Sequence, residues 1–179
     1  DLCFDFNFGG ELMNALNAAT IQQGQFGSAG VAEGQKTLAQ AMQANFKGKA
    51  ASAAPVSFYS PFLTNHDQER VMHLLGDDAA KMKMAAVLLL TSVGTPFMYY
   101  GEEIGLTQTQ TGDDIFKRAP MQWNDSAQAG FSTGDKVWVD DGKWVPWRKD
   151  HQAWWTPTWN ADQNKAAHSV AGQQADPNS

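Results

Sequence analysis

Asn65-His66-Asp67 sets an amide, an imidazole and a carboxylate side by side, directly after the apolar, strand-compatible run Ser57 to Leu63 and Thr64. A carboxylate that accepts from hydroxyls, next to a neutral imidazole that donates, is equipment for gripping a polyol. The same residues would also serve as a capped loop whose His and Asp satisfy backbone groups, and the pattern alone leaves both readings open. Arg70, shortly after Asp67, could pair with a carboxylate near that cluster or lie in solvent. Arg118, within Phe116-Lys117-Arg118-Ala119-Pro120-Met121-Gln122-Trp123, sits on a later loop from which it could reach back, although a loop arginine is usually solvated. Glu102-Glu103 reads as an extended pair whose side chains point to opposite sides, so the two cannot form a catalytic pair by themselves. Asp113-Asp114 and Asp140-Asp141 lack the spacing of a dedicated calcium loop. No His/Cys metal spacing, no G-x-S-x-G and no phosphate-cradling glycine loop occurs.

The elements that must position these groups alternate in type. Leu2 to Phe8 reads as a strand, alternating from Phe4 to Phe8 and broken by Gly9-Gly10. Glu11 to Gln23 carries Leu12, Ala15, Leu16 and Ala19 at helical spacing. Glu33 to Phe46 is a second helix, with Leu38, Met42 and Phe46 four apart, and Lys47 to Ala54 reads as a loop. The Ser57 to Leu63 strand follows. Asp78 is placed to cap a helix over Ala79 to Val93, which Gly94 stops. Thr95 to Tyr100 reads as a strand with its proline at the start, where it is tolerated. Strand, helix, strand, helix, strand argues for an α/β fold, a parallel sheet with helical crossovers. The polar cluster then lies at a strand's C-terminal end, where parallel α/β architectures meet their ligands.

Beyond Leu106 the texture changes. Thr107 to Gly172 is polar, rich in Gly, Pro, Asp and Gln, and shows no strong period. The chain's seven Trp all fall between Trp123 and Trp159. Indoles in irregular segments plug cores or form platforms for flat apolar faces, including the C–H faces of sugars. Residue 1 is Asp, and Asp176-Pro177 announces a helix two residues before the last one. Both ends therefore read as cut from a longer chain.

Composition narrows the class. The 179 residues suffice for one real core. Charged residues make up 18 % and the net charge is −6, with no basic run, which argues against a nucleic-acid surface. The longest apolar run, Ala85 to Leu90, is too short to span a bilayer. The one cysteine, Cys3, allows no disulfide framework and reads as a buried small hydrophobe.

Three ordered segments resemble a known family. Phe62-Leu63-Thr64-Asn65-His66-Asp67-Gln68-Glu69-Arg70-Val71 resembles the fourth conserved region of the α-amylase family, glycoside hydrolase family 13. Gly94 to Gly105, Gly-Thr-Pro-Phe-Met-Tyr-Tyr-Gly-Glu-Glu-Ile-Gly, is similar to that family's last barrel strand. Arg118-Ala119-Pro120-Met121-Gln122-Trp123-Asn124 is similar to the loop after it in α-glucosidases and some bacterial amylases, where Thr often replaces Ala119. Val170 to Ser179 resembles the lead-in to the final barrel helix. The first fifty residues fit the sixth strand and helix by position only.

The resemblance implies a partial (β/α)8 TIM barrel, roughly strands six to eight with their helices and a long Trp-rich loop region. Residues 1–179 would be the C-terminal part of a catalytic domain. It implies a retaining mechanism on α-glucans or maltooligosaccharides, with the nucleophilic Asp and acid/base Glu on strands four and five, outside this chain. Asp67 would then be the catalytic third carboxylate, and His66, Asn65 and Arg118 would bind substrate. The isolated chain would be inactive, and with barrel edges uncovered it would aggregate or stay loose. No cofactor or metal is expected on these residues; any Ca²⁺ would belong to the rest of the barrel. The expected partner is the α-glucan or maltooligosaccharide substrate, with no nucleic acid and no membrane segment. The polymer-degrading members suggest a secreted or periplasmic location. Rival readings are a transglycosylase or trehalose-forming isomerase of the same family, and an inactive sugar-binding or transporter-associated homologue.

Overall fold

Strand β1 (Cys3–Asp5) pairs in parallel with β2 (Tyr59–Pro61), Cys3 opposite Tyr59 and Asp5 opposite Pro61. The structure, a computed structural model, describes residues 2–18, 38–51, 54–108, 111, 114–124, 130–131, 133, 136–139, 143–146 and 169–176. Two compact units form, Asp1–Thr64 with Leu74–Tyr99, and Asn65–His73 with Tyr100–Ser179.

In the first unit the parallel pairing continues one step further. Phe62 bridges Phe97 in parallel, and the Phe97 N–H donates to the carbonyl of Pro61 at 2.9 Å. Parallel neighbours need helical crossovers, and the chain supplies them. Helices α1 (Phe6–Ala18) and α2 (Leu38–Ala50) lie between β1 and β2, and α4 (Ala79–Thr91) precedes Phe97. The expected parallel α/β order is therefore present in this unit. The extended stretches are shorter than the sequence reading: the Ser57–Leu63 run opens with a 3₁₀ turn at Val56–Phe58, and of Thr95–Tyr100 only Phe97 bridges.

The expectation that Gly9-Gly10 separates strand from helix is corrected. Helix α1 starts at Phe6 and runs through both glycines. A Cβ on Gly9 would overlap the carbonyl oxygen of Leu63, so glycine is what lets the helix approach this backbone. Phe8, Leu12, Ala15 and Leu16 form the buried stripe at helical spacing. Helix α2 is likewise shifted. It continues through Lys47 to Ala50, where a loop was expected, and Phe46 faces solvent while Ala41 and Lys49 are buried. Cys3 is exposed rather than buried. The buried position of β1 is Asp5, whose carboxylate forms an ion pair with Lys49.

Helix α4 follows the sequence closely. Asp78 Oδ1 accepts from the N–H groups of Ala80 and Lys81 at 2.9 and 3.1 Å, the capping arrangement that frees helix starts from orphan donors. Met82, Ala85 and Leu89 are buried, whereas Val87 and Leu90 are exposed.

The second unit contains the short helix α3 (Val71–Leu74, its last residue in the first unit), α5 (Asp114–Lys117), an antiparallel hairpin of β3 (Lys136–Val139) and β4 (Lys143–Pro146), and α6 (Val170–Ala175). Glu102-Glu103 is not extended. Gly101 and Gly105, both with positive φ, bracket a 3₁₀ turn over Glu102–Ile104 that buries Glu102 and exposes Glu103. Ile104, Leu106 and Met121 form a small apolar cluster with Val170 packed against it. Asp176 is the C-cap of α6, and the helix start expected from Asp176-Pro177 lies outside the described residues. Of the expected Trp-rich region, Trp138 and Trp144 stand opposite each other in the hairpin register, Trp123 is exposed, and Trp147, Trp154, Trp155 and Trp159 lie outside the described residues. Among the described residues no helix is long and apolar enough to cross a membrane.

Candidate functional site

The site is assembled within the second unit from the turn Asn65–Gln68 and the segment Asp114–Arg118. Asn65 makes the turn: its Oδ1 accepts from the N–H of Asp67 at 2.9 Å and its carbonyl accepts from the N–H of Gln68 at 3.2 Å. This Asx turn is a local property of Asn. It presents His66 and Asp67 outward, with Asp67's side chain 66 % exposed and His66 Nε2 3.3 Å from Asp67 Oδ1.

Arg118 does reach back to this turn. Its Nε donates to the carbonyl of His66 at 3.1 Å, and its Nη2 lies 3.2 Å from Asp67 Oδ1. The same Nη2 is closer to Asp114 Oδ2, at 2.6 Å. Lys117 Nζ bridges in parallel, 3.1 Å from Asp114 Oδ1 and 3.2 Å from the carbonyl of Asp67. Asp67 Oδ1 thus receives His66 and Arg118, while its Oδ2 has no partner among the described residues. Among the described residues this is a half-engaged carboxylate, held in place on one oxygen and without a partner on the other.

Asp114, weighed in sequence only as a calcium ligand, turns out to be the counter-anion of both cations. Its carboxyl is held below its ordinary value of 3.8, first by the hydrogen bond from Lys117, against some desolvation, and then by the charges of Arg118, Lys117 and His66. Among the described residues no group of three or more His, Cys, Asp or Glu could hold a metal. Asp113, Asp140 and Asp141 lie outside them.

Arg70 is neither a surface residue nor a visible member of the cluster. It is fully buried. Its Nε donates to the carbonyl of Lys117 at 3.0 Å, its Nη1 to that of Tyr100 at 2.6 Å, and its guanidinium lies 4.6 Å from the centre of the Tyr100 ring. Its own N–H donates to Gln108 Oε1 at 2.6 Å, and the Gln108 amide nitrogen donates to Glu69. Arg70 therefore fixes the carbonyl next to Arg118 and supports the site from behind. No pattern in the sequence points to Gln108. Lys117 and Asp114 were findable, because Asp114 stands three and four residues before Lys117 and Arg118, the spacing at which helical side chains meet.

A family model described as "Alpha amylase, catalytic domain" matches residues 6–152. The chain belongs to the α-amylase catalytic-domain family. α-Amylase SusG of Bacteroides thetaiotaomicron is 44 % identical over 91 residues, 51 % of this chain and 13 % of that protein. An oligo-1,6-glucosidase of Bacillus cereus is 33 % identical over 119 residues, 45 % of this chain and 21 % of its own length. A trehalose synthase of Thermus thermophilus is 42 % identical over 66 residues, 36 % of this chain and 7 % of that protein. Among solved structures, an α-amylase from H. orenii aligns with a TM-score of 0.55 and 25 % identity, covering 97 % of this chain and 28 % of that one. The α-amylase-family chain thus spans well under a third of the length of each of these relatives.

Proposed function

We propose that the chain is the C-terminal part of a (β/α)8 catalytic barrel, about strands six to eight, of a retaining glycosidase acting on α-glucans or maltooligosaccharides. The supporting observation is the exposed Asp67 carboxylate, steadied by His66 and Arg118 on Oδ1 and with no partner on Oδ2 among the described residues. In this reading Asp67 accepts hydroxyls of the sugar being cleaved. His66 and Arg118 line the same subsite, and Asn65 holds the turn and offers its amide to it. As the anomeric carbon gains oxocarbenium character the ring becomes cationic, and a fixed carboxylate beside it favours that state over the ground state. Nucleophile and acid/base belong to strands outside this chain, so the chain by itself is inactive. Any Ca²⁺ belongs to those parts, and a secreted or periplasmic location suits a polymer substrate.

The test is Asp67→Asn in the full-length protein. The expected result is a fall in kcat of about 10²–10³ on maltooligosaccharides, the usual size for losing a preorganised charge at a transition state. Unchanged turnover would sink the assignment. The similarity to a trehalose synthase supports a second reading, transfer or isomerisation on the same subsite. Product analysis separates them: glucose and shorter maltooligosaccharides mean hydrolysis, an isomeric disaccharide means rearrangement.

A further inference from the structure

We infer that Asp114 is a positioning residue, holding Arg118 and Lys117 so that Asp67 is oriented without being neutralised. The inference rests on the glucan-subsite reading for its catalytic consequence, but its geometric part stands alone. Arg118 Nη2 is shared unequally, 2.6 Å from Asp114 Oδ2 and 3.2 Å from Asp67 Oδ1. Charge-assisted N–H···O contacts are strongest at about 2.7–2.9 Å, so the firmer bond is to Asp114. Lys117 Nζ, with its side chain only 9 % exposed, is held by Asp114 Oδ1 and in turn donates to the backbone carbonyl of Asp67. Both oxygens of Asp114 are thus committed to cations that touch the Asn65–Gln68 turn.

The consequence follows from charge. Without Asp114, the guanidinium has Asp67 as its nearest carboxylate in this cluster and moves fully onto it. An Asp67 closed into a tight pair with Arg118 offers weaker acceptance to sugar hydroxyls. Lys117 also loses its anchor, and the turn carbonyl of Asp67 loses a fixed donor. The group does not touch substrate; it acts through Arg118 and Lys117.

The experiment compares Asp114→Asn, Arg118→Met and the double variant in the full-length protein, by kcat and KM on maltooligosaccharides and by crystallography of Asp114→Asn. Asp114→Asn is expected to lower kcat/KM about tenfold, and to lower it less than about twofold in the Arg118→Met background, since residues acting as one unit do not add. The crystal structure is expected to show the guanidinium shifted from the position 114 side chain toward Asp67. Equal losses in both backgrounds, or no loss in an active enzyme, would overturn the inference. If the wild-type protein leaves maltooligosaccharides untouched, the glucan reading fails instead. The positioning role then rests on the crystal structure, and an unmoved guanidinium in Asp114→Asn refutes it.

Discussion

Arg70 Nε donates to the backbone carbonyl of Lys117 at 3.0 Å, tying a residue just after the Asn65–Gln68 turn to the segment that delivers Arg118. The second side-chain bond, Nη1 to the Tyr100 carbonyl at 2.6 Å, recruits a third stretch of chain. Tyr100 extends the tie, its hydroxyl donating to the carbonyl of Ala119 at 2.7 Å. A planar fork does this because one rigid group serves two acceptors in fixed directions.

Arg70→Met would remove the side-chain donors to the buried carbonyl of Lys117 and the part-buried carbonyl of Tyr100. A buried acceptor left unmade costs about 1–3 kcal/mol, so a loss of roughly 3 kcal/mol is expected. Arg70→Lys should recover little of it, since an ammonium cannot reproduce the fork. Urea denaturation monitored by tryptophan fluorescence checks both, and a Lys variant as stable as the parent would reject the fork argument.

Asp114 gives the site a pH signature. Its carboxyl titrates below its ordinary value of 3.8 because Lys117 and Arg118 stabilise the charged form. Between the lowered value and 3.8 the unfolded chain binds more protons than the folded one, so stability rises with pH there. The contribution is present above about 3.8 and is lost as pH falls through the folded value. Asp114→Asn should therefore flatten the acid limb of the stability profile below pH 4 and leave its slope near pH 7 unchanged. An identical acid limb in the two proteins would contradict this.

Helix α4 ends at Thr91 with Ser92 as its C-cap, ahead of the expected stop at Gly94; Gly94 itself has φ +110°, and a Cβ there would overlap the carbonyl oxygen of Tyr59. Strain at positive φ and the backbone clash act together, because the neighbour is main chain of β2 and cannot rotate away. Gly94→Ala is expected to cost about 2 kcal/mol or more. Gly10, a helical glycine with nothing within 4 Å of its added Cβ, is the control. Gly10→Ala should be stabilising by up to about 1 kcal/mol, and thermal melts of the two variants should move in opposite directions.

These pairs show what was readable in the sequence and what was not. Asp78 and α4 were legible because a cap and a run of Ala, Met, Lys and Leu act locally. Gly9 was misread because its reason is tertiary: a backbone approach to Leu63 that no window of α1 contains. Glu102-Glu103 was misread as extended because the turn is enforced by the two flanking glycines, each ambiguous alone. The β3–β4 hairpin was missed although Asp140-Asp141-Gly142, with its turn-favouring Asp-Gly pair, stands in sequence between Lys136–Val139 and Lys143–Pro146. At the site, Asn65, His66, Asp67 and Arg118 were picked out, and the structure brings them together. The burial of Arg70 was not visible, because it depends on Tyr100, Gln108 and Lys117 from distant parts of the chain; the Asp114–Arg118 pair is written in its four-residue spacing, but the sharing of Arg118 with the distant Asp67 is not.

Asp5 and Lys49 provide the sharpest test of the first unit. The two side chains are buried and paired, and Lys49 Nζ lies 5.6 Å from the ring centres of both Phe8 and Tyr59. The surroundings of the pair thus include two aromatic faces that suit an apolar side chain as well as a charged one. Lys49→Met would leave Asp5 buried without its cation, at a cost of about 3–5 kcal/mol, because an uncompensated charge in a low-dielectric setting is expensive. Asp5→Leu should cost a similar amount by leaving Lys49 alone. The double variant removes both charges and fills the space with carbon, so it should lie within about 1 kcal/mol of the parent, far from the sum of the singles. Denaturation midpoints of the four proteins decide the matter. Additive losses would mean that the two residues act independently of each other, and that mutual neutralisation is not what keeps the two charges buried.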